Sequence, residues 1–503
     1  MIGTKRAVDL REDLITKPEQ YFIKRGEAMA LSLFHEMAKR VPAYQDFLKN
    51  NNVNPRAIQS IADFSKIPAV SKDNYLRKYP RESLFWDGKL SSKAWVVSTT
   101  SGSTGQPFYF FRSAEQDDQY ALTAELYLLN NFQIHKYKTL YIDGFAMGAW
   151  IGGLFTYQAI RSVAIAGHYP LTIITPGVVR QEIINAIINI GQDFEQVIIG
   201  GYPPFIKDIV DEGIRLGINW DKYRIGFVFS AEGFTERFRE YIARKCSLKN
   251  PLFQTLNHYG TVDLGTMAHE TPLSILVRKL TVNNECLWKN IFGGAQIEPT
   301  LAQYNPEHFF FEEVNNSLFC SARSGIPLVR YDLKDGGGII SLREMMRIMK
   351  ANQIELVSEI KKAGVSSRIW NLPFVYVHER KDFVVKLYGA NIYPVSFRNV
   401  LEKESYSQLT TGRFTLEVTY DKNMIQRLTV HVELKRNKYR SKKFAELLAD
   451  AFEQGLLANN SEYRSNYREA PEKQPPLVRL WHFEDSLHFH RKGKQAWVKK
   501  GTS

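Results

Sequence analysis

The densest phosphate-binding chemistry in the chain lies between Val97 and Phe111, V-S-T-T-S-G-S-T-G-Q-P-F-Y-F-F. Thr100, Ser101, Gly102, Ser103, Thr104 and Gly105 place four hydroxyl side chains and two glycines in six consecutive positions. Glycine lets the backbone turn tightly and expose its N–H groups. Joined by Ser and Thr hydroxyls, such N–H groups form a nest for phosphate oxygens. The apolar lead-in Trp95-Val96-Val97 and the aromatic run that follows predict a strand, a gripping loop and a second strand. Gln106 and Pro107 stand where a Walker A loop needs Lys and Ser/Thr, which argues against ordinary P-loop chemistry. A plain solvated turn has a similar composition, so the loop must be weighed with the rest of the chain.

Further chemistry follows downstream. Phe227 to Tyr241 predicts a strand ending in Ser230-Ala231-Glu232-Gly233-Phe234, with Thr235 as a helix cap. His258-Tyr259-Gly260-Thr261-Val262-Asp263 offers a ring that can stack on a base and a carboxylate that can hold Mg²⁺ on phosphates. Leu328-Val329-Arg330-Tyr331-Asp332-Leu333-Lys334-Asp335-Gly336 contains two aspartates, either of which also suits an ordinary turn. Glu379-Arg380-Lys381-Asp382 leads into Gly389, Asn391 and Pro394. Near the end, Arg491-Lys492-Gly493-Lys494 is basic, as a solvent-facing tail would be.

These segments need a scaffold that brings them together. Strand patterns at Thr139–Ile142, Val163–Ile165, Leu171–Ile174, Gln196–Ile199 and Arg224–Ser230 alternate with helical patterns such as Glu115–Asn130, Gln181–Ile190 and Ile206–Leu216. That alternation predicts an α/β fold with a largely parallel sheet, whose ligands sit off the carboxyl ends of the strands. Before it, residues 1–90 read as a helical lead-in, with Tyr21–Leu48 interrupted near Pro42. Ile67 to Lys72 reads as a strand end with a cap at Ser71, and no catalytic residue is expected in this region. Phe309–Val314 and Leu318–Ala322 predict a hairpin over Asn315-Asn316. After about Glu379 the pattern becomes that of a small α+β domain, with strands at Asp382–Leu387, Phe414–Tyr420 and Arg427–Leu434 and a helix at Lys443–Gly455. The expected domains are therefore 1–90, 91–379 and 380–503.

Composition bounds the function. A chain of 503 residues that is 44% hydrophobic can build a large core and more than one domain. Its formal charge of +13 is scattered rather than clustered with aromatic residues, and no nucleic-acid motif accompanies it. Cys246, Cys286 and Cys320 are far apart, which points to a reducing compartment without a disulfide framework. A zinc site with His258 or His269 has no supporting ligand spacing. The most membrane-like window, Leu140 to Ile160, contains Asp143 and several glycines, so a buried or pocket-lining segment is expected. No membrane span and a cytoplasmic location are expected. Phe145, Met147 and Trp150, with Gly201 and Tyr202, are candidates to line an apolar pocket; plain core packing is the alternative.

Together the motifs resemble, in order, those of the adenylate-forming enzymes, the acyl-CoA synthetase and adenylation-domain superfamily. T-S-G-S-T-G-Q-P is similar to that family's phosphate loop. Ser230 to Phe234 resembles its adenine-side Gly-Ala-Glu-Pro-Trp segment. His258 to Asp263 is similar to Tyr-Gly followed by a metal-binding Glu, with Asp263 replacing Glu and Val262 where Ser or Thr is common. The Arg330 segment resembles R-Y-R-T-x-D-L of the phenylacetate–CoA ligase branch. Register selects Asp335 as the ribose carboxylate, with Asp332 as the confuser. Arg380, Asp382, Gly389, Asn391 and Pro394 keep the spacing of G-R-x-D-D-x-x-x-x-x-G-x-N-x-x-P, although Glu379 replaces the first Gly. Lys494 matches the C-terminal catalytic lysine, with Lys492 and Lys499 as decoys.

The resemblance implies a large ATP- and acid-binding domain with a small mobile lid domain. Thr100 to Gly105 would grip phosphates. Ala231, Glu232, Gly233, Tyr259, Gly260, Thr261, Asp335 and Arg380 would hold the nucleotide, Asp263 the metal, and Asp382 would be the hinge. The implied reaction is ATP-dependent activation of an aromatic or apolar carboxylic acid, with Mg²⁺, followed by transfer to coenzyme A. An amine or carrier-protein thiol as acceptor, or a decayed nucleotide-binding protein, is the alternative. Expected partners are the acid and coenzyme A or a carrier protein, without nucleic acid; a homodimer is the assembly considered.

Overall fold

A computed structural model of the chain describes residues 3–100, 107–293, 295, 298–380, 385–401, 403–421, 423–473, 475–485 and 488–489. The chain starts with α1 (Gly3–Thr16), α2 (Glu19–Arg40) and α3 (Pro42–Asn50). On α2 the residues Phe22, Gly26, Ala30, Leu33, Phe34 and Met37 recur every three or four positions and are buried, as one helical face requires. Pro42 lies at the start of α3, where the missing N–H has no helical partner to lose. Short turns then lead to Val70, which pairs with the backbone beside Tyr331: its N–H donates to Arg330 O (3.1 Å) and its carbonyl accepts from Asp332 N (2.9 Å). Arg330 fastens this segment through hydrogen bonds to Phe64 O and Ile67 O and an ion pair with Glu312.

A hairpin of β1 (Val96–Thr99) and β2 (Tyr109–Arg112) carries the Ser/Thr/Gly loop. Downstream come α4 (Ala114–Tyr127), β3 (Thr139–Asp143), α5 (Ile151–Gly167), β4 (Leu171–Ile174), α6 (Arg180–Ile190), β5 (Gln196–Gly201), α7 (Pro203–Arg215), β6 (Arg224–Phe229) and α8 (Glu236–Lys245). The remaining sheet strands are β7 (Thr255–Thr261), β8 (Gly265–His269), β9 (Thr300–Gln303), β10 (Phe310–Val314), β11 (Ser317–Ala322), β12 (Leu328–Ile340) and β13 (Phe374–Arg380). They form an eleven-stranded sheet in the order β10-β11-β12-β13-β9-β8-β7-β6-β5-β3-β4.

Only the half from β4 to β7 is parallel; from β7 onward the neighbours are antiparallel. The expectation of a largely parallel sheet is corrected to a mixed one. The change of direction occurs at the turn Val262–Leu264, closed by Gly265 at φ +81°, which is too short for the crossover a parallel neighbour needs. Val163–Ile165, expected as a strand, lies in the last turns of α5. Its pattern of Phe155, Ala159, Ile160 and Val163 is helical, and tertiary burial overrides the β-branched composition.

The two faces of the parallel half separate cleanly. Leu140, Ile142, Val197, Ile199, Phe227 and Phe229 pack under α6, α7 and α8. Tyr141, Ile198, Val228 and Leu256 pack under α4 and α5, the alternation that a sheet covered on both sides demands. The third large cluster joins α2 and α3 to β10–β12. A separate core draws only on residues between Val385 and Leu480. It contains the hairpin β14 (Val385–Leu387) and β15 (Ala390–Ile392), and the sheet of β16 (Thr410–Tyr420), β17 (Gln426–Leu434) and β18 (Leu477–Trp481). Among the described residues no helix is long and apolar enough to cross a membrane.

Gly325 tests how the loop-bearing hairpin is seated. A Cβ on Gly325 would lie 1.7 Å from Phe111 O, and its N–H donates to Gln116 Oε1 (3.1 Å). Gly325→Ala is expected to destabilise the protein by about 1–3 kcal/mol, measured by denaturant unfolding.

Candidate functional site

The parallel strands deliver four segments to one edge of the sheet: Asp143-Gly144-Phe145 from β3, Gly200-Gly201-Tyr202 from β5, Ser230 to Gly233 after β6, and Tyr259 to Thr261 from β7. This is where ligands bind in such sheets. Backbones approach closely here. A Cβ on Gly144 would meet Gly200 O at 2.7 Å, and one on Gly260 would meet Gly265 O at 2.6 Å. Ala231 sits at φ +76° without being glycine, a strained conformation of the kind that recurs at functional sites.

The residues expected from sequence to hold a nucleotide are linked across the sheet. The Tyr259 hydroxyl donates to Asp335 Oδ2 (2.7 Å), and its ring packs on Phe311 with centroids 6.1 Å apart. Asp335 on β12 is the register partner of Arg380 on β13. Asp332 instead accepts from the backbone N–H and the ammonium of Lys334 (2.9 and 2.6 Å). Thr261 accepts from Leu264 N (3.2 Å) and shapes the β7–β8 turn. Thr100 bonds reciprocally with Phe108, closing the base of the loop.

Lys72, which the sequence reading did not single out, lies beside the metal candidate Asp263. The pairing of Val70 with β12 aims the next turn at the site, and Ser71 caps that turn by accepting from Asn74 N (3.2 Å). The Lys72 ammonium lies 3.2 Å from Asp263 Oδ1 and 5.6 Å from the Phe110 ring centroid. Tyr331 donates to Asp263 Oδ2 (2.5 Å). The Ser71 cap was legible, but its distant partner strand was not.

Beneath Ala231 to Phe234 lies a buried charge network. Arg239 pairs with Glu236 (3.0 Å) and Glu270 (2.7 Å). Arg278 pairs with Glu270 (3.0 Å), Glu236 (3.3 Å) and Glu298 (3.0 Å), and donates to Phe234 O. Glu270 also accepts from Asn257 N (2.9 Å), while the Asn257 amide donates to Glu232 O (3.1 Å). Burial pushes Glu236 up, but Arg239 and Arg278 outweigh it and hold the carboxyl below its ordinary range. At Glu298 burial wins over Arg278 and the shift is upward.

The small C-terminal unit presses its β14–β15 hairpin onto this corner. Lys386 donates to Ala231 O. Gly389, at φ +80°, brings its backbone to the Tyr202 ring, which a Cβ would reach at 3.2 Å. Gln426 approaches both Glu232 oxygens at 3.5 Å, donates to Tyr420 (2.8 Å) and accepts from Tyr388 N (2.5 Å). Burial pushes Glu232 up to about 7, against the opposing pull of Lys386, Gln426 and Gly389.

Of the acid-pocket candidates, Phe145, Gly201 and Tyr202 come together. The two rings are 6.0 Å apart, and the Tyr202 hydroxyl accepts from Ala146 N (3.2 Å). Trp150 precedes α5, partly exposed, and makes no ring contact with them among the described residues. Ser101, Gly102, Ser103, Thr104, Gly105, Asp382 and Lys494 lie outside the described residues. Among the described residues no three His, Cys, Asp or Glu side chains form a metal-binding group.

No family model matches the sequence, and no curated protein does. Solved structures do match. A 2-hydroxyisobutyryl-CoA ligase with 2-HIB-AMP and CoA in the thioesterification state superposes with a TM-score of 0.61 at 14% identity, covering 97% of this chain and 92% of the ligase. An open conformation of that ligase, also with 2-HIB-AMP and CoA, gives 0.52 at 12% identity over 96% and 91%. Its postadenylation state with 2-HIB-AMP gives 0.52 at 13% identity over 97% and 92%. The chain has the fold of the adenylate-forming enzymes.

Two outcomes follow from the site's electrostatics. Arg278→Met leaves Glu236, Glu270 and Glu298 facing Arg239 alone, and is expected to destabilise the protein by about 3–5 kcal/mol in chemical unfolding. Glu232 has a raised pKa in the packed state, so its contribution to domain contact is full below about 4.5, its ordinary value, and is lost as pH rises through about 7. Hydrogen exchange of the 385–392 hairpin should therefore be slower at pH 6 than at pH 8, after correction for intrinsic exchange. Glu232→Gln should flatten that difference.

Proposed function

We propose that this chain uses ATP to activate a carboxylic acid as an acyl-adenylate, releases pyrophosphate, and passes the acyl group to the thiol of coenzyme A. One observation carries the reading. Tyr259 bonded to Asp335, itself paired in register with Arg380, stands beside the Ala231–Gly233 turn and the Lys72–Asp263 pair at the carboxyl edge of the sheet. These residues belong to the segments whose order resembles the nucleotide motifs of the adenylate-forming enzymes, which supports the reading. The shared fold with a ligase whose structures hold 2-HIB-AMP and CoA supports the same chemistry by analogy.

The chemical problem is to bring a carboxylate against the α-phosphate, two anions, in a site dry enough for electrostatics to act strongly. Asp335, with Arg380, receives the ribose hydroxyls, and the backbone at Ala231 to Gly233 borders the base. Thr100 to Gly105 surround the outer phosphates. Lys72 adds a fixed cation on that side, and Lys494 bridges acid and α-phosphate during adenylation. Asp263, whose buried Oδ1 makes no hydrogen bond, would hold the Mg²⁺, in competition with the Lys72 ammonium 3.2 Å away. When bound, the ion neutralises phosphate charge. Residues 380–503 turn about Asp382, presenting first the Lys494 segment and then the β14–β15 hairpin. The Arg330-Tyr331 pattern and the long helical lead-in support the phenylacetate–CoA ligase-like branch, acting in the cytoplasm.

The test is acid-dependent pyrophosphate release from ATP and Mg²⁺ over a panel of acids, with and without coenzyme A. Release should fall at least about 100-fold in Lys494→Ala, and coenzyme A should yield a thioester detectable by mass. Release without thioester would redirect the second step to a carrier thiol or an amine. No release with any acid, despite ATP binding, would count against the adenylation reading.

A further inference from the structure

At the amino ends of the parallel strands, opposite the edge that carries the nucleotide motifs, basic side chains gather from separate parts of the chain. They are Arg11 on α1, His135 and Lys136 before β3, Arg224 at the start of β6, and Arg368 before β13. Hydrogen bonds bring these parts together. Asn371 N donates to Leu14 O (2.7 Å) and the Asn371 amide to Ile15 O (2.9 Å), which lays the 368–371 segment along the end of α1. Arg368 donates to Asn130 O (3.0 Å), in the turn that leads to His135. Gln254 donates to Ile225 O (2.8 Å) and seats the short helix Pro251–Gln254 beside Arg224.

Two of the guanidiniums are held over aromatic rings. Arg368 lies 4.2 Å from the Phe253 centroid and Arg224 lies 4.3 Å from that of Tyr137. Such stacking fixes a guanidinium while leaving its edge N–H groups to bind. Among the described residues Arg224 uses only its Nε, on Gln196 (3.0 Å), and Arg368 only one terminal nitrogen, on Asn130. Arg11 Nε is buried with no hydrogen-bond partner among the described residues. No carboxylate there answers this charge: Glu125 accepts from the Tyr169 hydroxyl (2.8 Å) and Glu195 from Lys138 N (2.8 Å). Burial, then the charges of Arg11 and Arg224, pull Arg368 below its ordinary range; burial, Lys136, Arg11 and Arg368 do the same to His135. Like charges held together in this way oppose the folded state until an anion lies among them.

We propose that Arg11, His135, Lys136, Arg224 and Arg368 form a second anion site, at the opposite sheet edge from the candidate active site, which takes a phosphate-bearing ligand. Basic groups from several elements suit a multiply charged phosphate better than a lone carboxylate, which one guanidinium fork satisfies. The ligand would bridge α1 to the amino ends of β3 and β6, and so fasten the helical lead-in to the parallel half of the sheet. The site stands whether or not the chain performs adenylation.

The probes are pyrophosphate and inorganic phosphate, added to the full chain and followed by hydrogen exchange. Exchange over residues 8–16 and 130–138 reports this site, and exchange over β1 and β2 reports the Ser/Thr/Gly loop. Protection of 8–16 and 130–138 by either anion supports the site, and the stronger of the two gives the number of phosphoryl groups it takes. The pyrophosphate concentration for half-maximal protection should rise at least about 10-fold in Arg11→Gln and in Arg368→Lys, which keeps the charge and loses the fork. Without anion, Arg11→Gln should melt no lower than the parent, because it removes a repelled charge. With pyrophosphate the parent should melt higher than Arg11→Gln. Unchanged exchange at 8–16 and 130–138 with both anions would overturn the proposal, as would protection confined to β1 and β2. Protection that survives in both variants would overturn it too. A large drop in melting temperature of Arg11→Gln without anion would do the same, since Arg11 would then serve the fold alone.

Discussion

The arrangement at the sheet edge depends on a cluster of buried charges. Arg239 and Arg278 sit among Glu236, Glu270 and Glu298 in the interior, where an unpaired ion would be very costly. Each Arg answers more than one carboxylate, so the members must hold fixed positions relative to one another. The network draws on α8, the end of β8, the helix Pro272–Val282 and the segment before β9. It thereby ties the last parallel strand connection to the antiparallel half. Through Asn257 and Phe234 O it also fixes the turn at Ala231 to Phe234. A strained Ala231 can persist because its surroundings leave it no alternative.

Much of the parallel half was legible from periodicity. The alternation of Leu140 and Ile142 with Tyr141, and of Val197 and Ile199 with Ile198, matches the two packed faces. The hairpin over Asn315-Asn316 and the break at Pro42 were equally readable, because turn residues and proline act locally. What local pattern could not give was partnership at a distance. The direction change after β7 depends on a glycine turn whose consequence appears only when β8 and β9 add to the sheet. Val163–Ile165 misled because three β-branched or small residues fit a strand and a helix alike, and the surrounding fold decides.

The site divides along the same line. Motif register singled out Asp335, and the structure shows it accepting from Tyr259, while Asp332 is held by Lys334. Lys72 was passed over because its only local signal was a capped turn; its meaning comes from Asp263, almost two hundred residues later. Phe145 and Tyr202 pack together, whereas Trp150, beyond the turn through Gly148, makes no ring contact with them among the described residues.

The bridge between Val70 and Tyr331 has a consequence for how the chain is made. The first ninety residues bury Phe34, Tyr44 and Tyr75 against β10–β12, and those strands leave the ribosome some 240 residues after Val70. At roughly 5–20 residues per second the wait is on the order of tens of seconds. Through that interval an apolar helical segment has no surface to cover. Loop closure over such a distance is slow and entropically opposed. The lead-in therefore cannot complete its packing until β10–β12 have been made, although it precedes them in the chain.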